Sequence, residues 1–339
     1  MQVFVCRLTY FLIIQSCIWG GVLALYNQYT ATDPNLNETA YLAASIDKHH
    51  LLEQQPAPRI VFVGGSNLAF GLDSTEIERA LGYHPVNMGL DLALGLDFML
   101  AEIDPFLKPG DVVLISPEYE QFVDLYSGDA GTLFTALEIQ PRSIQFLTGR
   151  NLAVLLDQGL IIVGSITRSS LDFGIRLRQG KVQRKLQARQ GLYYRSGFNQ
   201  LGDVIAHRNV LATEEIPVEK YRLPTPGRSE RAIHRLNAFQ QQCQRQGIRV
   251  FYSYPPLFQG ILQTNADMIH EIAFQLRTQL TFPLLDTPEE MSFPSDYFFN
   301  HPYHLNAFGL HIRTGHLIEK LRAQLAHVSP APPRMEALN

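Results

Sequence analysis

The sequence predicts a mixed α/β domain, a doubly wound parallel sheet in an α/β/α sandwich, with a mostly helical insertion and an N-terminal transmembrane helix. Three observations predict it. An almost wholly apolar run extends from Val3 to Tyr26. Short β-branched apolar runs then alternate with segments of helical spacing, the pattern of a parallel sheet. The alternation breaks over about 123–228, far more than the ~12–15 residues of an ordinary structureless loop, so that stretch is an insertion with structure of its own.

After Arg7 the first run approaches the ~20 residues with which a helix crosses hydrocarbon. No Lys or Arg follows Arg7 until Lys48, so the positive-inside rule puts the N-terminus in the cytoplasm and the body outside it. A cleaved signal peptide is the alternative, but Tyr26 and Asn27 crowd the only stretch of small residues available for cleavage. Cys17 follows Gln15-Ser16 and the apolar run continues past it, which argues against a lipoprotein. Residues 1–27 are therefore expected as a single-pass anchor in the cell membrane. Residues 28–58, polar and carrying Pro34, Pro56 and Pro58 around a helix near Glu38 to Glu53, are expected as a juxtamembrane stalk.

The folded domain is expected over 59–328. It opens with the strand in RIVFVGGSN (Arg59 to Asn67), followed by a short helix through Leu81 that Asp73 or Ser74 caps. PVNMGL (Pro85 to Leu90) reads as a second strand, Leu94 to Leu107 as a helix and DVVLISPEY (Asp111 to Tyr119) as a third strand. Beyond the insertion come a helix from Ser229 to Gln246, the strand IRVFYSYP (Ile248 to Pro255), a helix from Asn265 to Leu280, the strand FPLLD (Phe282 to Asp286) and a last helix from Asn306 to about Leu325. The proline-rich end, 329–339, is expected to be disordered. Within the insertion, Leu152 to Ile166 is apolar but carries Asp157 and is short for a span, so it is expected as a buried helix rather than a membrane-dipping one. Arg176, Arg178, Lys181, Arg184, Lys185 and Arg189 read as a solvated face, with anionic lipid headgroups as the alternative contact.

Composition narrows the function. A length of 339 residues suffices for a sizeable core, and a net charge of −4 supplies no basic field for nucleic acid. Of three cysteines only Cys243 lies in the body, so no disulfide framework forms there and Cys243 reads as a small buried residue. The one glycine-rich turn lacks the spacing of a P-loop or a dinucleotide fingerprint, and no cofactor is expected. His301 and His304 come without a carboxylate or histidine at metal-closing spacing, and no metal is expected.

Ser66 stands where a parallel strand exits into a helix, a position that exposes a nucleophile beside backbone N–H groups. His304, in DYFFNHPYHLNAFG, sits in a loop ahead of the last helix, from which it can reach across the top of the sheet as a general base. Asp203 and His207, in FNQLGDVIAH, read as surface residues of a polar loop.

In this arrangement GGSN (Gly64 to Asn67), NMG (Asn87 to Gly89) and YHLNAFG (Tyr303 to Gly309) resemble, in order, the nucleophile, second and histidine blocks of the SGNH, or GDSL-like, family of hydrolases and extracytoplasmic O-acyltransferases. The resemblance covers the sheet elements from about Arg59 to Leu325 and implies a flavodoxin-like sandwich. It implies Ser66 as nucleophile, His304 as base, the backbone N–H groups of Ser66 and Gly89 as oxyanion donors, and Gly65 and Asn67 as neighbours in the oxyanion and substrate site. Two departures stand out. The family places an Asp three residues before the His, whereas position 301 is His301; Asn300 and Asp296 are the available substitutes, and an Asn brings no charge to stabilise an imidazolium. The family's Gly-x-Asn-Asp block has no counterpart after the third strand, where Glu118 and Tyr119 stand instead, either as substrate contacts or as caps of the strand end.

The resemblance implies ester chemistry: a membrane-anchored serine esterase or O-acyltransferase acting on an ester, an acetyl group among the candidates, of a cell-envelope polysaccharide or a small acyl ester. The alternative is a catalytically inactive envelope protein that keeps the fold and binds a glycan or protein partner in the same cleft.

Overall fold

The computed structural model describes residues 2–32, 39–182, 191–210, 216–223 and 229–326. Its centre is a four-stranded parallel sheet of β1 (Arg59–Gly64), β2 (His84–Asn87), β3 (Val112–Ser116) and β4 (Arg249–Tyr252), in the order β2-β1-β3-β4. The strands read as nearly continuous apolar runs because both faces of the sheet are covered. Val61, Val63, Val113, Ile115, Val250 and Tyr252 point into one core, and Ile60, Phe62, Val112, Leu114 and Phe251 into the other. The first core is closed by α5 (Leu96–Ile103), α9 (Ser229–Arg245) and α11 (Ala266–Gln279), which supply Leu100, Leu236, Phe239, Ile269 and Ile272. The second is closed by α3 (Ser66–Gly71), α4 (Ser74–Leu81) and α12 (Ala307–Ala326), which supply Leu68, Ile77, Leu317 and Leu321.

Local chemistry sets the boundaries. The Asp73 side chain accepts the Glu76 N–H (3.1 Å) to start α4, and Gly82, at φ 71°, ends it in the left-handed conformation that glycine adopts without strain. The helix expected from Leu94 to Leu107 narrows to α5 with a 3-10 turn over Asp104–Phe106, because Pro105 cannot continue the α ladder. The FPLLD segment does not extend as a full strand. Pro283 has no N–H to donate, and pairing is confined to a parallel bridge in which Tyr252 N–H meets Pro283 C=O (3.0 Å) and Leu285 N–H meets Tyr252 C=O (2.8 Å).

Residues 28–58 are not a free stalk over their described part. The helix α2 (Ala44–Gln54) buries Ala44, Lys48, His49 and Leu52, one face at helical spacing, against the domain. His49 pairs with Glu102 of α5 (2.7 Å), and the buried Arg59–Asp111 pair hydrogen-bonds through Arg59 to the Leu52 carbonyl at the end of α2. The composition conceals this because the buried face carries a lysine: Lys48 donates to the Asn87 (2.7 Å) and Gly202 (2.6 Å) carbonyls. Burial lowers its ammonium to about 7.

At the N-terminus α1 (Gln2–Thr32) holds an apolar, almost wholly exposed stretch, Arg7–Thr32, long enough to cross a membrane. The insertion is helical in its first part, with α6 (Ala130–Ile139), α7 (Gly149–Asp157) and α8 (Gly159–Arg178). The expected buried helix over Leu152 to Ile166 is a misreading: Leu156, Leu160 and Ile161 are 81%, 88% and 70% exposed. Gln158 ends α7, and the two helices meet at a 59° bend that leaves Leu156, Leu160 and Ile161 outside the core, while Leu155 and Phe173 stay packed. Cys243 is buried on α9, and burial pushes its thiol up to about 12. The expected disordered tail, together with Arg184, Lys185 and Arg189, lies outside the described residues.

Candidate functional site

Strand β1 ends at Gly64, and Gly65 turns the chain into α3 so that Ser66 stands at the sheet's carboxyl edge. The turn is pinned from beneath. The Glu118 carboxylate, fully buried, accepts the N–H groups of Gly65 and Asn67 (both 3.0 Å). A side chain at Gly65 would collide with that carboxylate and displace it from the two N–H groups. Arg313 of α12 reaches the same turn, donating to the Asn67 carbonyl (2.7 Å), Asn67 Oδ1 (2.9 Å) and Ser116 Oγ (3.0 Å). Burial raises the Glu118 carboxyl above the ordinary carboxylate range and lowers the Arg313 guanidinium to about 9. Hydrogen bonds to Glu118 oppose the first shift, and the nearby Asp286 and Glu118 carboxylates oppose the second.

The second half of the site follows the short parallel pair β5 (Leu257–Phe258) and β6 (Ser292–Phe293) and the helix α10 (Gln259–Thr264). It is a two-stranded antiparallel hairpin, β7 (Phe298–His301) and β8 (His304–Leu305), whose tight Pro302-Tyr303 turn brings His304 over α3. His304 Nε2 lies 2.9 Å from Ser66 Oγ, and Nδ1 lies 3.2 Å from Asn300 Oδ1. The Asn300 amide nitrogen in turn donates to the Tyr193 hydroxyl (2.7 Å). In the tautomer in which Nδ1 donates to the Asn300 amide oxygen, Nε2 is left to accept the serine proton. Phe70, one turn along α3 from Ser66, stacks on the His304 ring (centroids 4.0 Å apart, planes at 6°) and fixes its orientation. Burial, with smaller contributions from His301 and His207, holds His304 well below the ordinary histidine range, while burial lowers His301 and His207 to about 4.

Ser66 and His304 line a pocket of about 480 Å³ with Tyr41, Phe70, Asp91, Tyr193 and His301 in its wall. The pocket opens between the domain, the turn before α2 and the insertion, and α6 reaches it through Thr135.

Of the residues expected at the site, Ser66, His304 and Asn300 come together. Asp296 does not: its side chain is exposed on the turn before β7, and its backbone carbonyl accepts from Asn306 (2.6 Å). Gly89 approaches the backbone of α3 closely, but its N–H donates to Asn87 Oδ1 (2.9 Å) rather than standing free for an oxyanion. The Gly65 and Asn67 N–H groups belong to Glu118, and among the described residues the Ser66 N–H is left without a hydrogen bond. Glu118 therefore holds the strand end and the turn. Tyr119 is buried beside Tyr254 (centroids 6.5 Å) and does not line the pocket.

Asp203 and His207 are not surface residues either; both are fully buried. Asp203 accepts from Ser74 Oγ (2.6 Å), the Ser74 N–H (2.9 Å) and Asn87 Nδ2 (2.9 Å), stitching the insertion to α4 and β2. His207 lies within hydrogen-bond distance of the Leu305 carbonyl behind His304 (3.0 Å). Sequence reasoning missed Tyr193, Tyr41, Asp91 and Arg313, whose approach is long-range. Phe70 carried a local signal, standing four residues after Ser66 on the same helix face.

No family model matches the chain, and no curated protein matches it.

Proposed function

We propose that this chain is a membrane-anchored, SGNH-like serine hydrolase or O-acyltransferase whose domain lies on the extracytoplasmic side and acts on an ester, an acetyl ester of a cell-envelope glycan or polymer being the leading candidate. The observation that carries the reading is the 2.9 Å approach of His304 Nε2 to Ser66 Oγ, across 238 residues of sequence, in the wall of an open pocket. The strand order, extended by the parallel bridge from Tyr252 to Leu284, supports a flavodoxin-like arrangement in which the site occupies the carboxyl edge of the sheet.

In the mechanism, Ser66 Oγ attacks the ester carbonyl as its proton passes to His304 Nε2. The tetrahedral oxyanion takes the Ser66 N–H as donor. His304 then returns the proton to the departing alkoxide, leaving an acyl group on Ser66. Water, or a sugar hydroxyl deprotonated by the same histidine, attacks that acyl group and regenerates the serine. Asn300 orients the ring without contributing negative charge. The aromatic wall of Tyr41, Phe70 and Tyr193 suits the face of a sugar ring.

One observation favours the second reading, a binding protein that has lost activity. Glu118 and Asn87 occupy the N–H groups of Gly65, Asn67 and Gly89, so oxyanion stabilisation rests on Ser66 alone. A fluorophosphonate probe separates the two. An adduct on Ser66, detected by mass and absent in Ser66→Ala and His304→Ala, supports the enzyme; an unreactive wild type that still binds envelope glycan supports the binding protein.

A further inference from the structure

We propose that α7 and α8 lie in the interfacial layer of the lipid bilayer beside α1, so that the chain holds the membrane through a second, bent element. The two helices present Leu156, Leu160, Ile161, Leu171 and Ile175 to the outside, exposed by 54% to 88%. Such a run, as distinct from scattered single residues, marks a surface made for an apolar partner.

The partner is identified by what the run adjoins. Helix α8 packs on the C-terminal part of α1: Gly174 lies against Leu25, and Phe173 meets Tyr29 with ring centroids 6.0 Å apart. Glu138 of α6 lies near Tyr26 at the same junction. Since α1 is long and apolar enough to span a bilayer and is almost wholly exposed, the apolar surface of α8 continues that of α1. Lipid is the one occupant that covers both.

An interfacial position fits better than a second crossing. Asp157 and Gln158 stand at the 59° bend, where a span would bury them in hydrocarbon. The exposed Arg176, Arg178 and Lys181 follow the apolar residues, the composition of a helix that lies at headgroup depth. Thr135 lines the Ser66 pocket and Glu138, one turn further on α6, contacts α1, so this seating also sets the pocket beside the membrane surface.

The test uses the full chain in phosphatidylcholine and phosphatidylglycerol vesicles containing lipids brominated at shallow or deep acyl positions. Trp19, the only tryptophan and part of α1, reports insertion in the wild type. In a Trp19→Phe background, Leu156→Trp and Leu160→Trp place reporters on α7 and α8, and Phe274→Trp places one on the exposed side of α11 as a control. The expected result is strong quenching of the reporters at 156 and 160 by shallow bromines, weaker quenching by deep ones, and none at 274. Reporters at 156 and 160 that stay as unquenched as the one at 274 overturn the proposal. Blue-shifted emission without bromine quenching overturns it as well, in favour of burial against a second copy or another protein, and deep quenching overturns it in favour of a span. An unquenched Trp19 removes its basis.

Discussion

Asn300 stands where a carboxylate would stabilise the protonated histidine, and this sets the pH behaviour of the proposed reaction. His304 must be neutral to accept the serine proton, and its burial favours the neutral form. Turnover should therefore persist below pH ~6.5, the ordinary histidine value, and fall only as pH drops through the lowered one. Asn300→Asp introduces a negative charge beside Nδ1 and should move the acid limb of the kcat/KM profile up by about 1–3 units; an unmoved limb would show that another group titrates. Asn300→Ala, which frees the ring, should lower kcat/KM by about 10²-fold through misorientation, measured with the same ester substrate. The serine and histidine were legible in the sequence because a strand-exit serine and a histidine ahead of the last helix are local patterns. The identity of the orienting residue was not, since Asn300 and Asp296 both precede His304, and only the hairpin register turns one toward the ring and leaves the other exposed.

At the scale of elements, the turn between β1 and α3 depends on a carboxylate and a guanidinium contributed from β3's end and from α12. Replacing Glu118 by Ala leaves the Gly65 and Asn67 N–H groups buried without acceptors, each worth about 1–3 kcal/mol, and should appear as a large fall in melting temperature. Gly89→Ala forces a methyl against Leu68 and the Ala69 backbone and should cost about 1–3 kcal/mol in the same measurement. The helices α4, α9, α11 and α12 were readable to within a residue or two because caps and apolar spacing are encoded locally. Three features were not. FPLLD pairs through a single bridge because of its proline, α2 hides a buried lysine in a polar stretch, and Leu156 of α7 with Leu160 and Ile161 of α8 face outward. In each case composition is the same whether the residue meets solvent, core or lipid, and only the tertiary partner decides.

For the molecule as a whole, the segment 39–58 packs on the domain and contributes to the site. Lys48 joins α2 to the Asn87 and Gly202 carbonyls, while Tyr41 on the preceding turn lines the pocket. Gly202, at φ 91°, approaches the Asn87 backbone more closely than a side chain would allow. Lys48→Met leaves the Asn87 and Gly202 carbonyls buried without their donor, which should cost about 1–3 kcal/mol and lower both the melting temperature and the activity of the full chain. The most direct test of the central claim is hydrolysis of p-nitrophenyl acetate by the detergent-solubilised full chain, wild type against Ser66→Ala and His304→Ala. The account predicts turnover by the wild type and a fall of about 10⁴-fold or more, to background, in both variants. Equal rates in all three proteins, whether active or inert, would contradict it.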